Sequence, residues 1–169
     1  WPNIRYDEAG EMTDLPDKSV DLVTVAQAIH WFDRNTFYTE VKRVAKPTAI
    51  IAVWAYGLLK ISAEVDPLIN RFYTEVIGPY WDPERRLIDE QLKTIEFPFE
   101  ELTAPTFAMN FQWPIRELEG YLNTWSATQK YIRVNRNNPV SELMTEIQKV
   151  HPTGELTVEF PLFLRIGLV

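Results

Sequence analysis

His30 and Trp31 stand together at the end of an apolar run, residues 20–29, and form the most chemically loaded spot in the chain. An imidazole can move a proton near neutral pH, hydrogen-bond a ligand, or hold a loop by bonding its backbone. All three roles are open to His30. Gln27 and Ala28 precede it and Phe32 follows, so an amide and two large rings share one short connection. A second apolar run, residues 49–54, ends in Trp54-Ala55-Tyr56-Gly57. The rings of Trp31, Phe32, Trp54 and Tyr56 suit a ligand pocket and suit a core equally. Downstream, Trp81, Arg85-Arg86 and Tyr131-Arg133 offer cations and rings for an acidic ligand, or a solvated face.

Other ionisable groups carry less. His151 precedes Pro152 and reads as a turn residue. The Asp82/Glu84 and Glu100-Glu101 pairs read as a cap and loop charges rather than an acid–base pair. No spacing supports a metal site. The chain has no Cys, so it holds no disulfide, thiolate nucleophile or zinc–thiolate centre.

The elements that must position His30 are legible around it. Leu15-Pro16-Asp17-Lys18-Ser19 reads as a turn, and residues 20–29 as a strand. Asp33 and Asn35 can cap a helix in which Phe37, Val41, Val44 and Ala45 recur at helical spacing. Lys46-Pro47 stops that helix, and residues 49–54 form the next strand. Strand, crossover helix, strand is the unit of a parallel sheet. Ligands of such sheets sit at the carboxyl ends of the strands, where Gln27 to Phe32 and Trp54 to Gly57 fall.

Beyond Gly57 the spacing predicts a helix from a Ser62 cap, with Val65, Leu68, Ile69, Phe72, Tyr73, Val76 and Ile77 on one stripe, ended by Gly78-Pro79. Asp82-Pro83 opens another that runs to Glu96-Phe97-Pro98-Phe99. Residues 106–113 read as a strand. Pro114 opens a helix with Ile115, Leu118, Tyr121, Leu122 and Trp125 inward. Asn135 to Asn138 form a polar loop, Pro139 starts a helix, and Pro152-Thr153-Gly154 is a turn. From Leu156 to Leu168 apolar residues alternate with period two, and Pro161 predicts a bulge or local edge because it cannot donate a ladder bond.

A chain of 169 residues with 46% hydrophobic content can build one core, and 13% aromatic residues suggest a deep apolar site or large interface. The formal net charge of −7 argues against nucleic acid, and the longest apolar run, residues 49–59, is too short to span a bilayer. The expected location is cytoplasmic.

LPDKSVDLV, AQAIHWFD, the run Glu40, Arg43, Val44, Lys46, Pro47 and IIAVWAYG together resemble the second half of a class I S-adenosylmethionine-dependent methyltransferase, near the type 11 and trans-aconitate branch. The resemblance implies a Rossmann-like α/β fold, mostly parallel, with an antiparallel last strand and helical segments over the substrate pocket. It implies one domain: a sheet core from residues 1–57, 104–113 and 155–169, with cap segments 58–103 and 114–154. It implies S-adenosylmethionine as cofactor, near Gly10, Glu11, Gln27, Ala28, Trp31 and Phe32. His30 then serves the methyl acceptor, as base or by positioning. Trp54, Tyr56, Trp81, Arg85 and Tyr131 face a small-molecule acceptor, such as a carboxylic acid.

One family feature is missing. The six glycines lie at Gly10, Gly57, Gly78, Gly120, Gly154 and Gly167, so no G-x-G occurs, although only glycine permits the family's close backbone approach to the cofactor. The expectation is therefore a C-terminal portion of a longer enzyme, with an incomplete cofactor site and little activity by itself. A strand missing its neighbours exposes its edge. Residues 1–14 are expected to be displaced or mobile, or another copy to cover that edge. The alternatives are a non-catalytic remnant acting as a binding or assembly module, and a short domain with its own fold.

Overall fold

The computed structural model describes residue 4, residues 11–152 and residues 154–169. Gly10, the strand expected to follow Asn3, and Thr153 of the expected turn lie outside the described residues, as does most of the segment 1–14. The chain forms two compact units. One comprises residues 1–56, 90–106 and 162–169; the other comprises residues 57–89 and 107–161. The strand at 107–114 and the start of the last strand fall with the helices, and residues 90–106 fall with the sheet.

The first unit is built on the predicted strand, helix, strand. Strand β1 (Val20–Ala26) is followed by a single 3-10 turn (Ile29–Trp31), helix α1 (Arg34–Val44) and strand β2 (Ala45–Tyr56). The apolar run 20–29 therefore stops being strand at Ala26, where Gln27 turns left-handed with φ 52°. Asp33 caps α1: its Oδ1 accepts the N–H groups of Asn35 and Thr36 at 3.1 and 3.2 Å. The helix ends at Val44, ahead of Lys46-Pro47. Its last carbonyls accept from the turn before β1, Lys18 N–H to Arg43 at 3.0 Å and Ser19 N–H to Val44 at 2.8 Å. β1 and β2 run parallel, with Ala26 opposite Trp54.

The last strand, β5 (Glu155–Leu168), lies antiparallel to β2 and also to the short β3 (Glu100–Leu102). Among the described residues β1 is the terminal strand of the order β1-β2-β5-β3. Leu22 on it is 54% exposed, a large apolar side chain on an edge. Gly167 is required where it stands: a Cβ there would meet Phe97 and Phe99 at 2.8 Å. Arg165 locks the preceding loop. It forks onto Glu101 at 2.8 and 2.8 Å, donates to the carbonyls of Leu92 and Ile95, and lies 4.5 Å over the Phe97 ring. Leu92 and Gln91 are both left-handed, so the fork holds a strained turn.

The second unit holds the helices. The predicted stripe 65–77 is a short helix α2 (Asp66–Arg71) that continues as a π-helical turn (Phe72–Val76). Its buried residues include Val65, Ile69, Phe72, Tyr73 and Ile77, as the spacing predicts. Helix α3 (Arg85–Asp89) is much shorter than the run to Glu96 suggested. Strand β4 (Phe107–Pro114) pairs with β5, and α4 (Ile115–Thr124) buries Leu118 and Leu122. The helix α5 (Ser126–Asn135) was not expected, and α6 (Val140–Val150) was. α4 packs against α5, α6 and β4. Near Pro161 the pairing slips by one residue: Gly57 N–H donates to the Pro161 carbonyl at 2.9 Å, while the next bridge joins Lys60 to Glu159. That is the irregularity a missing donor demands.

Candidate active site

At the carboxyl ends of β1 and β2, Gln27 joins the two strands. Its N–H donates to the Trp54 carbonyl at 2.8 Å, and its Oε1 accepts the Tyr56 N–H at 2.8 Å. A left-handed backbone turns the side chain across to the neighbouring strand. The amide thus ties the loop to β2. Directly behind it, the 3-10 turn buries Ile29 and His30, with His30 only 6% exposed. The imidazole lies 4.7 Å from the Trp31 ring, which is itself exposed. Trp54 and Tyr56 are half-buried on β2. These residues come together around one strand end.

A cavity of about 710 Å³ runs along β1 on the side away from β2's ladder. Ala28, Phe32, Val23, Phe37, Glu11 and Thr13 are among the residues lining it. Phe32 packs edge-on to Phe37 at 5.0 Å, so that wall is firm. Along most of its length the cavity follows the open edge of β1, the terminal strand among the described residues, where the sequence predicts a neighbouring strand; only its Ala28 and Phe32 end lies at the carboxyl end of β1, where a ligand site needs apolar walls and a few fixed polar groups. Glu11 supplies one such group: its Oε1 accepts the Asp33 N–H at 3.0 Å, at the start of α1.

Sequence spacing gave no role to Glu40 or Thr13. Glu40 on α1 is 3% exposed, and its Oε1 accepts both the N–H and the hydroxyl of Thr13, at 2.9 and 2.6 Å. Arg43 grips the same carboxylate at 2.8 and 2.6 Å, and reaches Asp17 at 2.6 Å and the Thr13 carbonyl at 3.2 Å. Hydrogen bonds from Arg43 and then from Thr13 hold the Glu40 carboxyl down at about 2. The i,i+3 spacing of Glu40 and Arg43 was the available signal; their partners lie 26 or more residues upstream.

In the second unit, Trp81 and Arg85 belong to an aromatic cluster. The Arg85 guanidinium lies 5.0 Å over Trp81 and 5.6 Å over Tyr73, and its Nε donates to the Tyr73 hydroxyl at 2.8 Å. Tyr73 donates in turn to Asp89 at 2.7 Å, and burial raises its phenol pKa. Trp125 packs on both Tyr73 and Trp81. Tyr131 takes another partner: its ring meets Tyr80 edge-on at 5.2 Å. Tyr73 and Trp125 read from the sequence as plain core residues. His151 ends α6 in the expected turn, with its Nε2 3.0 Å from the Glu155 carbonyl oxygen.

Comparison with known proteins agrees with this architecture. The family described as "Methyltransferase domain" matches residues 3–53, which contain β1, α1 and most of β2. A Dictyostelium discoideum protein, provisionally named a methyltransferase, is 34% identical over 171 residues and covers 96% of this chain. An uncharacterised methyltransferase-like protein of Schizosaccharomyces pombe is 27% identical over 168 residues, also covering 96%. The chain spans 65% and 62% of the length of these curated relatives. A solved structure from Anaeromyxobacter dehalogenans, provisionally described as a type II methyltransferase, superimposes with a TM-score of 0.90. It is 37% identical, over 99% of this chain and 73% of its own. The mixed α/β sheet is that of the Rossmann-like methyltransferase fold. The chain belongs to the class I S-adenosylmethionine-dependent methyltransferases.

Proposed function

We propose that these residues take part in methyl transfer from S-adenosylmethionine to a small-molecule acceptor, with a carboxylic acid as the favoured class. The observation that carries this reading is the carboxyl end of β1, where Gln27 ties the loop to β2 and Ala28, Phe32 and Glu11 line one end of the cavity. The residues present suit the cofactor: Ala28 and Phe32 offer an apolar wall, and Glu11 a carboxylate beside it. When bound, the cofactor supplies an electrophilic methyl on a sulfonium. A carboxylate acceptor would arrive already ionised, so no residue of this chain would need to take a proton from it. The protein's part is then to hold the two in line and exclude water. A buried His30 suits a hydrogen bond to the acceptor better than repeated proton exchange with solvent.

The 169 residues contain no G-x-G loop, so we assign them part of the cofactor site and expect the remainder from the full-length protein. The same gap favours a second reading, a non-catalytic binding or assembly module. Incubation of the full-length protein with S-adenosylmethionine and trans-aconitate separates the two. Acceptor-dependent release of S-adenosylhomocysteine supports the enzyme. Neither release nor cofactor binding supports the module.

A further inference from the structure

We propose that Glu40 and Arg43 are positioning residues for the cofactor: they clamp residues 11–17 onto α1, and so set one wall of the cavity and the place of Glu11. This rests on the cofactor reading of the cavity given above. Residues 11–17 have no regular secondary structure to hold them. They are fastened to α1 at two points. At the helix start, Glu11 Oε1 accepts the Asp33 N–H at 3.0 Å. Near its end, Thr13 and Asp17 meet Glu40 and Arg43 through four polar contacts of 2.6 to 3.2 Å.

The arrangement is more than an ion pair on a helix. Glu40 is 3% exposed, so its charge is almost fully withdrawn from water, and each contact replaces hydration it has lost. Thr13 spends its N–H and its hydroxyl on a single oxygen of that carboxylate. Glu11, Thr13 and Glu40 all line the same cavity, so the clamp is part of its wall. Among the described residues Glu11 makes no hydrogen bond through Oε2, which leaves that oxygen for a donor on a ligand. When docked, the clamp makes an edge of the site from a connection with no regular structure, and places a carboxylate on it. A ligand binding only the clamped form has its dissociation constant raised by the fraction of time the strap is undocked.

The test is calorimetric titration of the full-length protein with S-adenosylhomocysteine, alongside its melting temperature. Thr13→Val keeps the backbone bond and removes the hydroxyl bond to a buried charge. A loss of this kind lowers docking by roughly 10-fold; with the parent's strap docked about half the time, the dissociation constant should rise by roughly 5-fold. Thr13→Ser keeps the hydroxyl and should bind as the parent does. Asp17→Ala releases Arg43 from a largely exposed side chain; it leaves the core untouched and should raise the constant by roughly 2-fold. If Thr13→Val does not fold, the Asp17→Ala result decides. A purely stabilising clamp would lower the melting temperature of Thr13→Val and leave its dissociation constant and that of Asp17→Ala unchanged, which overturns the proposal. If the parent protein itself fails to bind, the cofactor reading fails first, and that outcome is distinct.

Discussion

The side-chain carbonyl of Gln27 accepts the backbone N–H of Tyr56 at 2.8 Å, while the Gln27 N–H donates to Trp54. One residue therefore closes the carboxyl ends of both parallel strands and sets where His30 begins. Gln27→Ala keeps the backbone bond and leaves the Tyr56 N–H without this acceptor. A part-buried N–H left unsatisfied costs about 1–3 kcal/mol. Denaturant unfolding of the full-length protein should show a loss in that range. A variant as stable as the parent would mean that water replaces the amide at no cost.

Acid stability should report on Glu40. Its folded pKa is about 2, below the ~4.3 of an unfolded glutamate. The sign follows from linkage: the group stabilises the fold above its unfolded value, and that contribution is lost as pH falls through the folded one. Melting temperature should therefore fall from about pH 5 toward pH 2, and Glu40→Gln should flatten the slope. Glu101, also lowered by hydrogen bonding from Arg165, keeps some slope in the variant. Parallel profiles for parent and variant would contradict the clamp's ionic character.

Arg165→Met tests the loop lock. The substitution removes the fork to Glu101 and strips donors from the Leu92 and Ile95 carbonyls. Hydrogen bonds to a charged group are worth about 1.5–3 kcal/mol, so a loss of about 2–3 kcal/mol is expected in urea unfolding. A change under about 0.5 kcal/mol, the scale of an ordinary surface substitution, would show that the loop holds itself.

His30→Gln separates base from positioner. Removal of a general base lowers turnover by ~10²-fold or more. A carboxylate acceptor is already ionised at neutral pH and needs no base. The account predicts turnover at saturating acceptor within ~3-fold of the parent, a raised KM for the acceptor, and no step near pH 6.5 that vanishes in the variant. A lost step would make His30 the base.

Much of this architecture was legible because it rests on local periods and caps. Asp33 announced α1, and the alternation from Leu156 to Phe160 announced the start of β5. Other features have no local signal. The stripe from Val65 to Ile77 has helical spacing throughout, yet the backbone switches to π-type bonding at Phe72, with Ile77 N–H on its carbonyl. Helix α5 begins after Trp125 without a side-chain cap, so nothing in residues 126–135 marked its start. Gln27 takes a left-handed backbone without being glycine, which the sequence could not reveal. Glu40 and Arg43 were visible as a motif. Their purpose was not, because Thr13 reaches Glu40 across 27 residues of chain.

The central claim is that the cavity along β1 receives S-adenosylmethionine. Ultraviolet cross-linking of methyl-labelled S-adenosylmethionine to the full-length protein, followed by trypsin, addresses it directly. Cleavage after Lys18 and Arg34 isolates residues 19–34, which carry Gln27, Ala28, His30 and Phe32. The account predicts label in this peptide, lost when excess S-adenosylhomocysteine competes. Label confined to peptides outside residues 6–34, or label in 19–34 that S-adenosylhomocysteine does not displace, would contradict it.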